Sequence, residues 1–174
     1  SYVDEIERAA QLLYEEDPIF LHCVTIYPTP LDELKLGKLK FLQQLSSSGS
    51  VGFSDHTDAD VDGILALKLA SVMGASTFER HYRVDGRDDS RDGKVSITAQ
   101  QVDEFFEFTK MSRSDQEEEL RERGLSPMIQ ASYKGEDLAL GATELMNRDY
   151  YRGRFGSRRG DRSSRELVMN WERW

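Results

Sequence analysis

Cysteine, histidine and long apolar runs are all scarce in this 174-residue chain. A single cysteine, Cys23, excludes an internal disulfide and is typical of a reducing compartment; its apolar neighbours predict that it is buried. No apolar run approaches the roughly 18 residues that a membrane helix needs, and Ser1–Glu5 lack the basic-then-apolar order of a signal peptide. We therefore expect a cytoplasmic protein without a membrane partner.

Positive charge is also in short supply. Lysine and arginine total 23 against 32 acidic residues, which gives a formal net charge of −9. Phosphate contacts need a basic surface, so nucleic acid is not an expected partner of the chain as a whole. Residues 148–165 are the exception, because arginines alternate there with aromatic residues that can stack on single-stranded nucleic acid. A solvated linker or a contact between subunits is the interpretation we favour for this tail.

Apolar periodicity alternates between helical and strand spacing along the first two thirds of the chain. Helices are predicted over residues 2–15, 31–45 and 60–73, and Gly74 ends the third. A fourth helix is predicted to begin after a Thr98 cap, with Val102, Phe105, Phe106 and Thr109 on one face. Short strands are predicted at IFLHCVTIYP (19–28), VGFSDHT (51–57) and STFERHY (76–82). No tight hairpin signal separates the strands, so the order predicts parallel pairing through crossover helices.

The fold class that follows is α/β, a partial (β/α)8 or TIM barrel of about three parallel β/α units preceded by a helix. Three units cannot close a barrel, which needs eight strands and roughly 250 residues. We expect the barrel half to occupy residues 1–112, and residues 113–174 to form an acidic helix and an Arg/Gly-rich tail. Either an upstream segment or a partner chain would supply the remaining strands.

All three histidines fall within the predicted strands. Because side chains alternate along a strand, Ser54 and His56 share one face, as do Glu79 and His81. An isolated histidine is usually a hydrogen-bonded barrel residue, but a polar-x-His pattern repeated at two strand ends favours ligands. Two imidazoles with a nearby carboxylate suit a divalent transition metal. His22 lies on the opposite face of its strand, and we interpret it as structural.

Four ordered motifs carry a resemblance to a known family. They are HCVTIYPTP (22–30), GFSDHT (52–57), FERHY (78–82) and DGKVS (92–96). In order and spacing they resemble the N-acetylneuraminate (sialic acid) synthases and their legionaminic and pseudaminic relatives, over about residues 18–110. That resemblance implies a (β/α)8 barrel followed by an antifreeze-like domain, which is not recognisable in this sequence.

The resemblance also implies an activity and a metal. Members condense phosphoenolpyruvate with an N-acetylhexosamine, typically N-acetylmannosamine, to give a nine-carbon keto-acid sugar and phosphate. By motif, His56 and His81 would bind the divalent ion, usually Mn, with Mg or Co as alternatives, and the ion would polarise the sugar aldehyde. Glu79 would be the catalytic carboxylate beside the metal and the reacting carbons.

The remaining substrate contacts follow from the same motifs. Tyr27 and Asp92 would contact the hexosamine, while Ser54 and Thr25 would hold the phosphoenolpyruvate end. Thr25 stands where many relatives have Asn or Ser, and VDGRDDSRDG (84–93) replaces a Pro/Gly-rich loop. The family's phosphate-binding lysines and early glutamate belong to the first half of the barrel, so we expect the chain to be inactive alone and to act as a homo-oligomer or with a complementing barrel half.

Two other functions remain open at this stage. The half-barrel can be a non-catalytic binding or assembly module, which the missing strands and the altered tail favour. Another metal-dependent barrel enzyme would explain the histidines, but not the YPTP and DGKVS stretches.

Overall fold

The computed structural model describes residues 1–84, 92–125, 127, 130–131, 137–151, 156–158 and 167–169, with side chains described as far as Arg148. The chain divides into two compact units, Ser1–Leu140 and Gly141–Trp174. The sequence-based boundary at residue 112 stays a prediction. Most of the 148–165 tail, and residues 85–91 of the loop before Asp92, lie outside the described residues.

A parallel sheet forms the centre of the first unit. Its strands are β1 (Phe20–Cys23), β2 (Val51–Asp55), β3 (Thr77–Tyr82) and β4 (Ser96–Ile97). They lie side by side in chain order, and every neighbouring pair is parallel. The predicted parallel pairing is therefore confirmed, and the fold is a partial α/β barrel. The sequence analysis missed β4, because a two-residue strand is too short to show a period.

Helices precede, connect and follow the strands of this sheet. They are α1 (Val3–Leu12), α2 (Lys38–Leu45), α3 (Leu65–Val72), α4 (Ala99–Lys110) and α5 (Arg113–Glu122). The core lies between sheet and helices, where Leu39, Phe53, Leu67 and Phe108 are each at most 2% exposed. Leu120 of α5 belongs to the same core, so the acidic helix packs on the barrel half.

Several predicted boundaries were wrong by a few residues. Strand β1 ends at Cys23 and does not continue to Pro28. Helix α2 begins only at Lys38, because Leu31–Glu33 form a 3-10 turn and Lys35 takes a left-handed conformation (φ 48°) that no α-helix accommodates. Helix α3 begins at Leu65, after a run of turns in which Val61 is 77% exposed.

Helix α4 confirms the predicted cap but corrects the predicted face. The Thr98 hydroxyl accepts the backbone N–H of Gln101, whose side-chain oxygen accepts the N–H of Thr98, so a complete capping box starts the helix. Phe106 and Thr109 are exposed rather than buried, whereas Phe108 is the fully buried aromatic. Val102 and Phe105 pack against the core as predicted, so the inward face keeps these two positions and includes Phe108 in place of Phe106 and Thr109.

The two sides of the sheet differ in character. The helix-facing side carries His22, Phe53 and Phe78, which lie opposite one another in register across β1, β2 and β3. The rings of His22 and Phe53 are 5.9 Å apart, and Phe78 meets Phe105 of α4 edge-on at 4.8 Å. The other side, termed the inner face, carries the alternate residues and hence the polar groups described below.

Two positions require glycine, one because neighbouring atoms leave no room for a Cβ atom and one because of its backbone conformation. At Gly52 of β2 a Cβ atom would lie 2.1 Å from Leu21 Cδ2 and 2.6 Å from the Thr77 carbonyl oxygen, so the inner face closes tightly there. Gly74 follows α3 with φ +98°, which confirms it as the residue that ends this helix.

The second unit contains one helix and two strands in its described part. Helix α6 (Ala142–Tyr151) is followed by β5 (Gly156–Arg158) and β6 (Leu167–Met169), which pair antiparallel. The sequence analysis predicted neither of these strands. Across the parts of the chain that the structure describes, no helix combines the length and the apolar character needed to cross a membrane.

Candidate functional site

A row of three residues crosses the inner face near the carboxyl ends of the strands. Cys23, Ser54 and Glu79 lie opposite one another in the register of β1, β2 and β3. The Ser54 hydroxyl donates a hydrogen bond of 2.7 Å to Glu79 Oε1. Among the described residues no bond to Glu79 Oε2 is present, and Glu79 is exposed, so this carboxylate can receive a further group.

The two predicted metal ligands converge just beyond this row. His56 follows the last residue of β2 and His81 lies near the end of β3, with ring centroids 5.3 Å apart and planes inclined by 61°. Metal–nitrogen distances of about 2.1 Å place two imidazoles on one ion with their ring centres about 5 Å apart. The predicted convergence is confirmed, and the spacing fits a shared ion.

Tyr27 and Asp92 complete the group. The Tyr27 ring lies 4.1 Å from the His56 ring and 6.5 Å from that of His81. Asp92 Oδ2 lies 3.8 Å from His81 Nδ1. The segments after β1 and β2, the end of β3 and the turn before β4 thus come together. We call the resulting group the edge cluster, and its members are Tyr27, Ser54, His56, Glu79, His81 and Asp92.

Burial determines the charge state of His56. The residue is 6% exposed, and this burial, together with the neighbouring charges of His81 and Arg80, lowers the pKa of His56 to about 4. Its imidazole is therefore neutral near pH 7, the form in which histidine binds metals.

The donor atoms at this edge suit a divalent transition metal. In the described ranges, no three or more histidine, cysteine, aspartate or glutamate side chains are grouped so that they could hold a metal ion. The two imidazoles of His56 and His81 are nitrogen donors of the kind that such metals take, so these two residues fit part of a coordination sphere.

Cys23 at the end of β1 and Thr25 beyond it have different outcomes. Cys23 was expected to be buried, but its thiol is exposed on the inner face, 3.7 Å from His56 Nδ1. The prediction was wrong because an apolar run does not reveal which face of a strand lacks a covering layer. Thr25 is exposed two residues beyond β1, and its role at the phosphoenolpyruvate end stays a prediction.

His22 lies on the helix-facing side, as the alternation predicted. Its Nε2–H donates a hydrogen bond of 2.7 Å to the Leu34 carbonyl oxygen. Burial lowers the pKa of His22 to about 4, so this imidazole is also neutral. Its contacts join β1 to the segment that precedes α2, away from the edge cluster.

The sequence analysis missed a buried ion pair directly behind the two histidines. Asp55 and Arg80 precede His56 and His81, and Arg80 Nη1 lies 2.5 Å from Asp55 Oδ2. The signal was present in the motifs, since both SDH and ERH place a charged residue before the histidine. It was not recognised because charged residues are not expected on the side of a strand that faces helices.

Comparison with known proteins gives a consistent result. A family model described as the NeuB family matches residues 1–119. An uncharacterized protein of Methanocaldococcus jannaschii is 33% identical over 108 residues, which cover 60% of this chain and 31% of that protein. A pseudaminic acid synthase of Campylobacter jejuni is 32% identical over 111 residues, covering 62% of this chain and 29% of the synthase.

A solved structure agrees with the fold. The Bacillus subtilis spore coat polysaccharide biosynthesis protein SpsE superposes with a TM-score of 0.63 at 23% identity, over 88% of this chain and 42% of that one. The chain therefore spans less than a third of the length of the two curated relatives and less than half of this structure.

Proposed function

This chain belongs to the NeuB family, and on that premise we propose that it provides the metal- and sugar-binding side of a synthase that joins phosphoenolpyruvate to an N-acetylhexosamine. The observation that carries the proposal is the convergence of His56 and His81, 5.3 Å apart, beside Tyr27 and Asp92. The product would be a nine-carbon keto-acid sugar, in line with the pseudaminic acid synthase among the relatives.

His56 and His81 would hold a divalent cation, Mn²⁺ by preference, with Mg²⁺ or Co²⁺ as alternatives. When bound, such an ion acts as a Lewis acid on the aldehyde oxygen of the sugar. Tyr27 presents an exposed aromatic face beside both imidazoles, and Asp92 presents a half-exposed carboxylate that can accept sugar hydroxyls. These two residues would orient the hexosamine.

Glu79 would act at the reacting carbons. Ser54 fixes its Oε1 by a 2.7 Å hydrogen bond, and the carboxylate is exposed on the inner face, where it can accept a hydroxyl of the substrate. Ser54, with Thr25, would also line the phosphoenolpyruvate end of the site.

Titration with Mn²⁺ tests the metal assignment. We expect His56→Ala and His81→Ala to abolish Mn²⁺ binding measured by calorimetry, because each removes one of two protein ligands. His22→Ala is the matched control, since it removes a buried imidazole from the opposite side of the sheet and should lower stability while leaving Mn²⁺ binding intact. Equal loss of binding in all three folded variants would contradict the assignment.

We further propose that the 174-residue chain does not complete the reaction alone. The edge cluster contains no lysine or arginine, whereas phosphoenolpyruvate carries a phosphate and a carboxylate whose charge must be stabilised during reaction. The family resemblance implies that lysines of another barrel half supply this charge, from an upstream segment or a partner chain. Phosphate release from phosphoenolpyruvate, N-acetylmannosamine and Mn²⁺ should therefore stay at background with the purified chain. Sustained turnover would overturn this part of the proposal.

A further inference from the structure

The backbone around His56 is held from several directions. Asp55 Oδ1 accepts the backbone N–H of Thr57 at 2.9 Å, so the side chain before His56 bonds to the residue after it. The carbonyl oxygen of His56 itself accepts the N–H of Thr29 at 2.8 Å. Both bonds act on one peptide group, the one between His56 and Thr57, and thereby fix the backbone directly after this imidazole.

Arg80 connects this arrangement to the second histidine. Its Nη1 donates to Thr57 Oγ1 at 3.1 Å and its Nη2 to the Thr57 carbonyl oxygen at 2.8 Å, while Nη1 also pairs with Asp55. Asp55 and Arg80 are register partners across β2 and β3, and each directly precedes one of the histidines. One guanidinium group thus joins the backbone that follows His56 to the strand that carries His81.

Stability alone does not account for this pair. The side chains of Arg80 and Asp55 are 4% and 0% exposed, and burying both charges costs free energy that their attraction only partly recovers. Arg80 Nε finds no hydrogen-bond acceptor among the described residues, which adds to the cost. What Arg80 does provide, through its two bonds to Thr57 and its contact with Asp55, is a rigid link that fixes the separation between two strand ends.

We propose that Asp55 and Arg80 are positioning residues that set the spacing of His56 and His81 for one shared divalent ion. The inference rests on the proposed metal role of the two histidines. The Asp55–Arg80 ion pair lies on the helix-facing side of the sheet. By holding the strand ends in place, it would fix the positions of His56 and His81 on the inner face.

The decisive variant removes both charges together. In Asp55→Leu/Arg80→Met neither charge is left buried without a partner, so the chain should fold. We expect its Co²⁺ affinity, measured by calorimetry on the full chain, to fall about 10- to 100-fold, as is usual when groups behind metal ligands are lost. Asp60→Asn is the control: it breaks a partly exposed ion pair with Arg83 (2.6 Å) just beyond the same strands and should leave Co²⁺ affinity unchanged.

A second measurement needs no metal. The Tyr27 ring lies 4.1 Å from the His56 ring, so its ring current should shift the His56 ring-proton resonances. The chain has only three histidines, and single His→Gln substitutions assign their signals. In the metal-free double variant the His56 signals should move toward those of an unstructured histidine, while those of His22 stay in place.

The outcomes separate the two proposals. Wild-type Co²⁺ affinity and an unshifted His56 resonance in the folded double variant would overturn the positioning role. Failure of the wild-type chain to bind Co²⁺ through the histidines would refute the proposed function, and the metal-free resonances would still decide the positioning role. Should the double variant not fold, Arg80→Lys replaces it, because it keeps a positive charge beside Asp55 but loses the two-pronged bonding to Thr57; unchanged affinity and resonances there would equally overturn the inference.

Discussion

His22 and His56 are both buried histidines, but they lie on opposite sides of the sheet. Burial lowers the pKa of both to about 4. The Nε2–H of His22 donates a hydrogen bond to the Leu34 carbonyl oxygen between the sheet and the helices. His56 instead faces Tyr27 and His81 at the edge of the inner face. The local environment therefore distinguishes a histidine that supports the fold from one that can serve a site.

His22 makes stability depend on pH in a definite window. Its pKa is about 4 when folded and 6.5 in the unfolded chain, so the unfolded state binds more protons between these values. Stability should thus be complete above pH 6.5 and fall as the pH drops to about 4, by about 3 kcal/mol for a shift of this size.

Replacing the imidazole tests this linkage. His22→Gln keeps a hydrogen-bond donor but cannot titrate, so the free energy of unfolding from urea denaturation should fall less steeply between pH 6.5 and 4 than in the wild type. Curves of the two proteins that run parallel over this window would show that His22 is not the titrating group.

At the residue scale, alternation was enough to predict part of the site. It placed Ser54 with His56 and Glu79 with His81, because the two-residue period of a strand is a local property. It could not predict the Asp55 and Arg80 pair, since their partnership depends on the register of two strands about 25 residues apart in sequence. Which charges compensate each other is set by tertiary structure.

Among the elements, helix α3 is joined to α4 and α5 by a buried lysine, Lys68. Lys68 is 6% exposed, and its Nζ bonds to Glu104 of α4 at 2.7 Å and to Glu119 of α5 at 2.8 Å, above the Phe108 ring at 5.2 Å. Burial lowers the pKa of Lys68, but the two carboxylates outweigh it and raise that pKa above its ordinary value. One side chain therefore links three helices.

Substitution of Lys68 should loosen these helices. Lys68→Met keeps the size but removes the charge, and we expect it to lower the free energy of unfolding by about 1–2 kcal/mol, a modest value because both glutamates are partly exposed and can be hydrated. Lys110→Met, which removes an exposed cation paired with Glu107, should change it by less than about 0.5 kcal/mol. Equal urea midpoints for the two variants would contradict this role.

Element boundaries were the least predictable feature of the fold. The leucine spacing from Leu31 to Leu45 is helical throughout, yet the positive φ of Lys35 interrupts it. Lys35 bonds to the Ala139 carbonyl oxygen at 2.7 Å and to Asp137 at 3.1 Å, a long-range contact that no local pattern encodes. The types and order of the longer elements from α1 to α4 could be predicted because periodicity is local, whereas the short strands β4, β5 and β6 and the element ends could not, because they depend on distant contacts.

For the molecule as a whole, the two ends of the described sheet predict that copies of the chain associate. In the described part of the chain β1 and β4 each pair on one side only, and unpaired strand edges invite further pairing. We expect the purified chain to self-associate in analytical ultracentrifugation.

A charge beside the β1 edge should weaken that association. Ile19 is 48% exposed directly before β1, so Ile19→Lys should shift the distribution toward smaller species, because lysine at an edge blocks strand pairing. Val61→Lys, at a 77% exposed position in the turns before α3, is the control and should leave the distribution unchanged. A monodisperse wild-type monomer would refute the expectation.

The sheet order β1-β2-β3-β4 repeats the order of the chain, and this has a consequence for synthesis on the ribosome. Among the described strands, each new strand emerges after the neighbour on which it pairs has been made, so this sheet can grow by addition at one end without waiting for a distant segment. We expect the two histidines to come together once β3 docks on β2, and Asp92, which follows His81 by 11 residues, to join them later. The edge cluster would then be assembled in the order in which its residues are translated.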